Sequence, residues 1–245
     1  MTTRFVVVHD EPHACAYLPG QTARLPLELP SQRLGPDEVD EMLSRGDRRA
    51  GPTFYRTQCP SCRACEPLRV AARTFSPSRS QRRVWRQNAS EVEARLGPAV
   101  ATARHVELFN RHKRERGLAV DDLDLDLDAF RRYYVDSGID TREVAYLVDG
   151  RLVAFSIVDL GRTSVSSVYH SFDPDESRRS LGVYSVLREI DLFGALGFRW
   201  YYLGLYVAGC SSLAYKARYF PHERRRDGAW RAFTSSLTDE EGKEP

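Results

Sequence analysis

The chain has 245 residues, enough for one large domain or two modest ones that each bury a core, and two are expected. With 42% hydrophobic, 29% charged and 11% aromatic residues, and no run near the ~20 apolar residues of a membrane span, the composition is that of a folded soluble protein and excludes a membrane-spanning one. The net charge of +2 hides a bias, because 33 of the 36 basic residues are arginine; a guanidinium binds phosphate and carboxylate bidentately, so the bias suits an anionic partner, although a GC-rich genome produces the same bias.

Residues 1–35 are punctuated by Pro12, Pro19, Gly20, Pro26, Pro30 and Gly35 and read as extended segments and turns. The apolar run at residues 5–8 is too short for a secretory signal core, so the expected compartment is the cytoplasm. "GPDEVDEMLSRG" (35–46) predicts a short helix, with Pro36 at its start, acids in the first turn and a closing glycine. "YRTQCPSCRACEPLRV" (55–70) then places Cys59, Cys62 and Cys65 two residues apart, and its end runs into a strand.

A helix is expected over 76–97, starting at Ser76-Pro77 and ending at Gly97-Pro98, which serves as the predicted domain boundary. The division is thus a cysteine-bearing domain over 1–98, a second domain over 99–235 and a polar tail over 236–245. "DDLDLDLD" (121–128) leads into a predicted helix at 128–136. "VAYLVDGRLVAFSIV" (144–158) sets two apolar runs around Asp149-Gly150, a strong hairpin signal. A strand at 164–172, a helix at 183–197 and a strand at 200–207 follow, and a last helix is expected near 211–218. A strand reached through a crossover helix pairs parallel, so the second domain is expected to be a mixed α/β sheet with helices.

Three basic clusters carry aromatic or dense positive character: "SRSQRRVWRQN" (78–88), "RHKRERG" (111–117) and "ARYFPHERRRDGAWR" (217–231). They read either as nucleic-acid contacts or as solvated faces. "RRSLGVYSV" (178–186) sits between a strand and a helix, where backbone N–H groups attract phosphate; Arg178, Arg179, Ser180 and Gly182 are the candidate phosphate-binding residues, with a plain helix cap as the other reading.

The C-terminal strand order with this loop resembles the acyl-coenzyme A N-acetyltransferase fold, whose loop cradles a pyrophosphate. For the cysteines, a fourth ligand, Cys15, would complete a tetrahedral zinc or iron–sulfur site with Cys59, Cys62 and Cys65; His9 and His13 are weaker ligands, and reduced cysteines packed as small hydrophobes are the alternative. An odd cysteine count argues against a disulfide framework.

"CAYLPGQTARL", "FYRTQCPSCRACEPLRV", "SPSRSQRRVWRQN", "SFDPDESRRSLGVYSVLREI" and "YYLGLYVAGCSSLAYKARYFPHE" resemble, in order and spacing over residues 12–225, the aminoacyl-tRNA–protein transferases. These are the eukaryotic arginyltransferases and their bacterial relatives that move leucine; "CPSCRAC" is similar to the bacterial aspartate/glutamate leucyltransferase branch. The resemblance implies transfer of leucine from leucyl-tRNA to the α-amine of proteins with N-terminal Asp or Glu, a degradation signal, with no membrane or DNA partner and no cofactor required for the transfer itself. Arginine as the donor amino acid, a coenzyme A-dependent acetyltransferase and a non-catalytic metal-ribbon RNA-binding protein are the competing readings.

The acceptor's acidic side chain needs a cation, for which Arg56 and Lys216 are the candidates, with Tyr55, Tyr215 and Arg218 beside them. The resemblance places "YKAR" at 215–218, which makes Lys216 the leading candidate. Tyr169, Tyr202 and Tyr206 either line an aminoacyl pocket or pack as core. Asp173 and His170 either relay a proton or, for Asp173, cap a turn. Lys216, Tyr169 and Asp173 are the catalytic candidates. Ser212 and Leu213 stand where the family has a Lys-Met pair, a departure that bears on donor identity rather than on reaction class.

Overall fold

The computed structural model describes residues 3–117 and 123–234. The polar tail at 236–245 and the first two residues of the acidic run lie outside them. Among the described residues no helix is long and apolar enough to cross a membrane.

The first 98 residues contribute β1 (Phe5–His9), β2 (His13–Ala14), β3 (Thr22–Ala23), β4 (Leu27–Pro30), α1 (Pro36–Arg45), β5 (Arg48–Ala50), β6 (Thr53–Tyr55), β7 (Glu66–Ala71), α2 (Arg79–Asn88) and β8 (Glu93–Pro98). Helix α1 forms where expected. Pro36 occupies its first turn, the Glu38 carboxylate accepts from the Gly35 N–H at 2.8 Å, and Gly46 closes it at φ +91°. Its apolar stripe, Val39, Met42 and Leu43, packs with Leu34, Phe54, Ile139 and Tyr202. Strands β1, β4, β6 and β5 form a small antiparallel sheet in that order, and β2 and β3 form a ribbon.

The remainder contributes α3 (Ala103–Glu115), α4 (Leu127–Phe130) running into a π-helical turn at Arg131–Val135, β9 (Asp140–Val148), β10 (Arg151–Leu160), β11 (Ser164–Phe172), a 3₁₀ turn at Pro174–Arg179, α5 (Leu181–Ala195), β12 (Trp200–Tyr206), α6 (Ser211–Ala214), a 3₁₀ turn at Tyr215–Arg218, β13 (His222–Arg226) and β14 (Ala229–Phe233). The expected hairpin is β9–β10, with Asp149 and Gly150 both at positive φ, as a tight primed turn requires. Strands β11 and β12 pair parallel across α5, as the crossover predicts.

The central sheet has eight strands in the order β14-β13-β7-β12-β11-β10-β9-β8. Strands from both sides of residue 98 share it: β7 lies between β12 and β13, and β8 pairs with β9 at the edge. The expected long helix over 76–97 therefore ends at Asn88. The fully buried Asn88 amide donates to the Val84 and Arg179 carbonyls, fixing that end, and residues 93–98 satisfy their backbone on β9 instead.

The sheet is covered on both faces. Helix α5 packs over one with Tyr184, Leu187, Ile190 and Phe193, while α3 covers the other with Leu108 and Phe109 against Phe155 and Ile157 of β10. Strand β10 is buried nearly end to end, which is why it reads as a continuous apolar run.

Candidate active site at the split in the central sheet

Strands β11 and β12 are paired only where Ser164–Ser166 meet Trp200–Tyr202. Beyond that point β11 stays bonded to β10 and β12 to β7, so the sheet opens between its two parallel strands. Two cations enter this opening. Arg48, from β5, donates to the Ser166 hydroxyl at 2.9 Å and to the Ser167 carbonyl at 2.6 Å. Lys216, from the 3₁₀ turn, donates to the Leu205 carbonyl of β12 at 2.9 Å and is 9% exposed.

Both cations lie against Gly204, where a Cβ would stand 3.1 Å from the Lys216 Nζ and 3.2 Å from the Arg48 Nη2; Gly204 is also at φ +97°. The backbone conformation favours glycine there, and a Cβ would require the ends of Lys216 and Arg48 to give way. Burial, followed by the neighbouring Arg48 charge, pushes the Lys216 pKa down to about 7.

Tyr17 and Tyr55 stand beside Arg48; burial raises both phenol pKa values, and the Arg48 charge opposes the rise. Tyr55 faces Arg48 because the two are register partners across β5 and β6. Arg56, one residue past the end of β6, sits 3.3 Å from Asp47.

All five cysteines gather around Cys65, whose thiol is pushed up to about 12 by burial and then by Cys59, Cys15, Cys62 and Cys210. Cys210 thereby joins sulfurs from the other half of the chain. Among the described residues, however, no set of three or more His, Cys, Asp or Glu side chains is arranged to hold a metal ion.

The other expected site residues lie outside the opening or serve the framework. The Tyr202 hydroxyl accepts from Arg69 at 3.0 Å and its ring packs on Trp230. Tyr206 lies under the Arg224 guanidinium. Tyr169 packs among Phe109, Tyr134 and His112. Asp173, 2% exposed, takes Arg104, Arg151 and Arg111 at 2.8, 3.0 and 3.1 Å and also caps the Pro174 turn. His170 sits between Ser156 and Ser185, and burial pushes its pKa down to about 3, so it is neutral at working pH. Tyr215 and Arg218 are exposed on the turn that carries Lys216.

In the loop before α5, Arg179 is neutralised by Glu91 at 2.7 Å and Glu176 at 2.8 Å. Ser180 is in the left-handed conformation, and Gly182 has only ordinary contact with Phe172. Arg178 projects into solvent, its carbonyl held by Gln87.

The residues absent from the sequence reading are Arg48, Tyr17 and a buried acid. Glu189 on α5 is 1% exposed and accepts from the Tyr146 hydroxyl at 2.7 Å and from the Tyr201 hydroxyl; burial raises its pKa. A lone glutamate inside an apolar helix was the available signal for it, whereas nothing local distinguishes Arg48 from its arginine neighbours.

Two family models match the chain: the C terminus of arginine-tRNA-protein transferase over residues 104–226 and its N terminus over 13–83. The aspartate/glutamate leucyltransferase of Acinetobacter baumannii is 36% identical over 230 residues, covering 94% of this chain and 85% of that protein. The chain belongs to the arginine-tRNA-protein transferase family. A second family member, the aspartate/glutamate leucyltransferase of Chromobacterium violaceum, is 34% identical over 89% of this chain and 90% of its own. Among solved structures, this transferase is similar to L-PGS from Bacillus licheniformis, with 12% identity and a TM-score of 0.48 over 69% of this chain and 58% of that one.

Proposed function

We propose that this transferase, acting in the cytoplasm, moves leucine from leucyl-tRNA to the α-amino group of proteins that begin with Asp or Glu, creating a degradation signal. The observation that carries the reading is identity of 34–36% along nearly the whole chain to proteins named aspartate/glutamate leucyltransferases.

The chemistry asks little of the protein beyond placement and charge. The lone pair of the acceptor's α-amine attacks the ester carbonyl, and the tetrahedral oxyanion collapses with loss of the ribose oxygen of the tRNA end. One ammonium proton moves to that oxygen as the peptide bond forms. The ester is already activated, so orientation and oxyanion stabilisation supply the rate. An α-amine with a pKa of about 7.7–8.0 is partly neutral at cellular pH, which removes the need for a strong base.

Coenzyme A-dependent acetyl transfer is less well supported. At the loop before α5 Arg178 is the arginine of the expected pair left for a pyrophosphate, since Arg179 is committed to two carboxylates. An extended donor arm entering the split would pair with the free strand edge, yet the Ser167 carbonyl on that edge is taken by Arg48. Mixing the protein with leucyl-tRNA or arginyl-tRNA and peptides starting with Asp, Glu or Lys, then weighing the products, tests the proposal. Leucine is expected on the two acidic peptides only. Addition of arginine instead would exchange the donor, and no addition with either tRNA would overturn the proposal.

A further inference from the structure

Most arginines near the site are neutralised. Arg49, next in the chain to Arg48, is 2.7 Å from Asp159 with both side chains nearly sealed from solvent. Arg48 and Lys216 are the exception: the groups they bond are the neutral Ser166 hydroxyl and the Ser167 and Leu205 carbonyls. Among the described residues, no carboxylate lies within ion-pair distance of either. Two like charges share the bare face of Gly204; burial first, and then the Arg48 charge, lowers the Lys216 pKa. Asp159 acts on Arg48 only from beyond ion-pair distance; burying two cations without an ion-pair partner is costly, and an arriving anion offsets that cost.

The protein leaves donors free for such an anion. Arg48 uses two of its five N–H groups and Lys216 one of its three in the bonds described. Depth selects the class of anion. Lys216 is 9% exposed, and Tyr17, Tyr55, Cys65 and Cys210 stand around the pair. A backbone phosphodiester carries a substituent on each side, whereas a carboxylate ends its side chain and can reach cations buried this deeply.

We infer that Arg48 and Lys216 form the subsite for the side-chain carboxylate of the acceptor's first residue, with Arg48 as the residue that discriminates acid from amide. The inference rests on the transfer reading above and names the residues behind its acceptor class. Arg48 presents a fixed fork that an amide cannot satisfy as an acceptor on both arms, and Lys216 supplies a point charge on a flexible stem that accommodates the extra methylene of Glu over Asp. Arg56, held at Asp47, does not take this role.

The test compares kcat/KM for leucine transfer to peptides that differ only in a first residue of Asp, Glu, Asn or Gln, in the wild-type protein and in Arg48→Gln and Arg48→Lys. In Arg48→Gln the preference for acid over amide is expected to collapse, with a loss on the order of a hundredfold on the acidic peptides, expressed mainly in KM. Arg48→Lys, which keeps the charge without the fork, is expected to recover part of the preference. KM for leucyl-tRNA and the urea unfolding midpoint, measured on the same samples, separate this effect from misfolding. An acid-to-amide ratio unchanged in both variants, or an equal loss on all four peptides, would overturn the inference. A wild-type protein that transfers leucine without regard to the acidic side chain would instead overturn the acceptor class of the transfer reading itself.

Discussion

Lys216 is where burial and function meet most directly. With its pKa near 7 rather than 10.5, it carries a proton below neutrality and loses it above. Transfer to an Asp peptide is therefore expected to rise with pH as the α-amine deprotonates and to fall again as Lys216 does. In Lys216→Arg the cation persists, so the alkaline fall should disappear from the kcat/KM profile; a profile identical to wild type would remove Lys216 from acceptor binding. Stability carries the opposite sign. Between about pH 7 and 10.5 the unfolded chain holds a proton that the folded chain does not, so stability attributable to this residue rises with pH across that window, and the full penalty of burial is felt below it. Lys216→Met is expected to be more stable than wild type in urea at pH 6, with the advantage shrinking toward pH 10.

At the scale of the element, strand β12 and the small sheet hold the two cations in place. Gly204 lets β12 run past them at φ +97°. Gly204→Ala puts a methyl against both and strains the backbone, an expected cost of about 1–3 kcal/mol in denaturant unfolding, with weakened acceptor binding. A variant as stable and active as wild type would show that the strand can move aside. Strand β5, which carries Arg48, is anchored by its next residue: Arg49 pairs with Asp159 of β10, and Asp159 also accepts from Thr141 at 2.6 Å. Arg49→Met leaves that carboxylate buried without its charge partner, and the expected loss is about 3–5 kcal/mol. The midpoint of urea unfolding checks it.

Across the whole molecule, charge is distributed by task. Helix α2 exposes Arg79, Arg82, Arg83 and Arg86, and among the described residues none of them meets a carboxylate within ion-pair distance; Trp85 packs on Tyr184 of α5 beside them. A surface of unneutralised arginines suits a phosphate backbone, and leucyl-tRNA binding should weaken steeply with salt. Arg83→Gln and Arg86→Gln are each expected to flatten the slope of log K against log salt by about one without changing the acid-to-amide preference. Slopes equal to wild type would place the tRNA elsewhere.

Sequence alone determined the features that rest on neighbouring residues. The Asp149-Gly150 turn, the capped helix α1 and the parallel pair on either side of α5 follow from turn chemistry, end signals and crossover geometry, and the motif order led to the family. The Asp227-Gly228 turn between β13 and β14 carries the same hairpin signal, but the arginines of β13 disguised a strand as a basic cluster. Tertiary structure decided what depends on pairing between distant segments. Strand β7 enters the sheet between β12 and β13, residues 93–98 leave the expected helix for an edge position, and Asp173 becomes the meeting point of three arginines. The partners of a charge are not encoded beside it: Arg49 and Arg56 found carboxylates, Arg48 did not, and only the folded chain brings Arg48 and Lys216 together over Gly204, because sheet pairing and charge neutralisation are settled by what lies across the fold rather than along it.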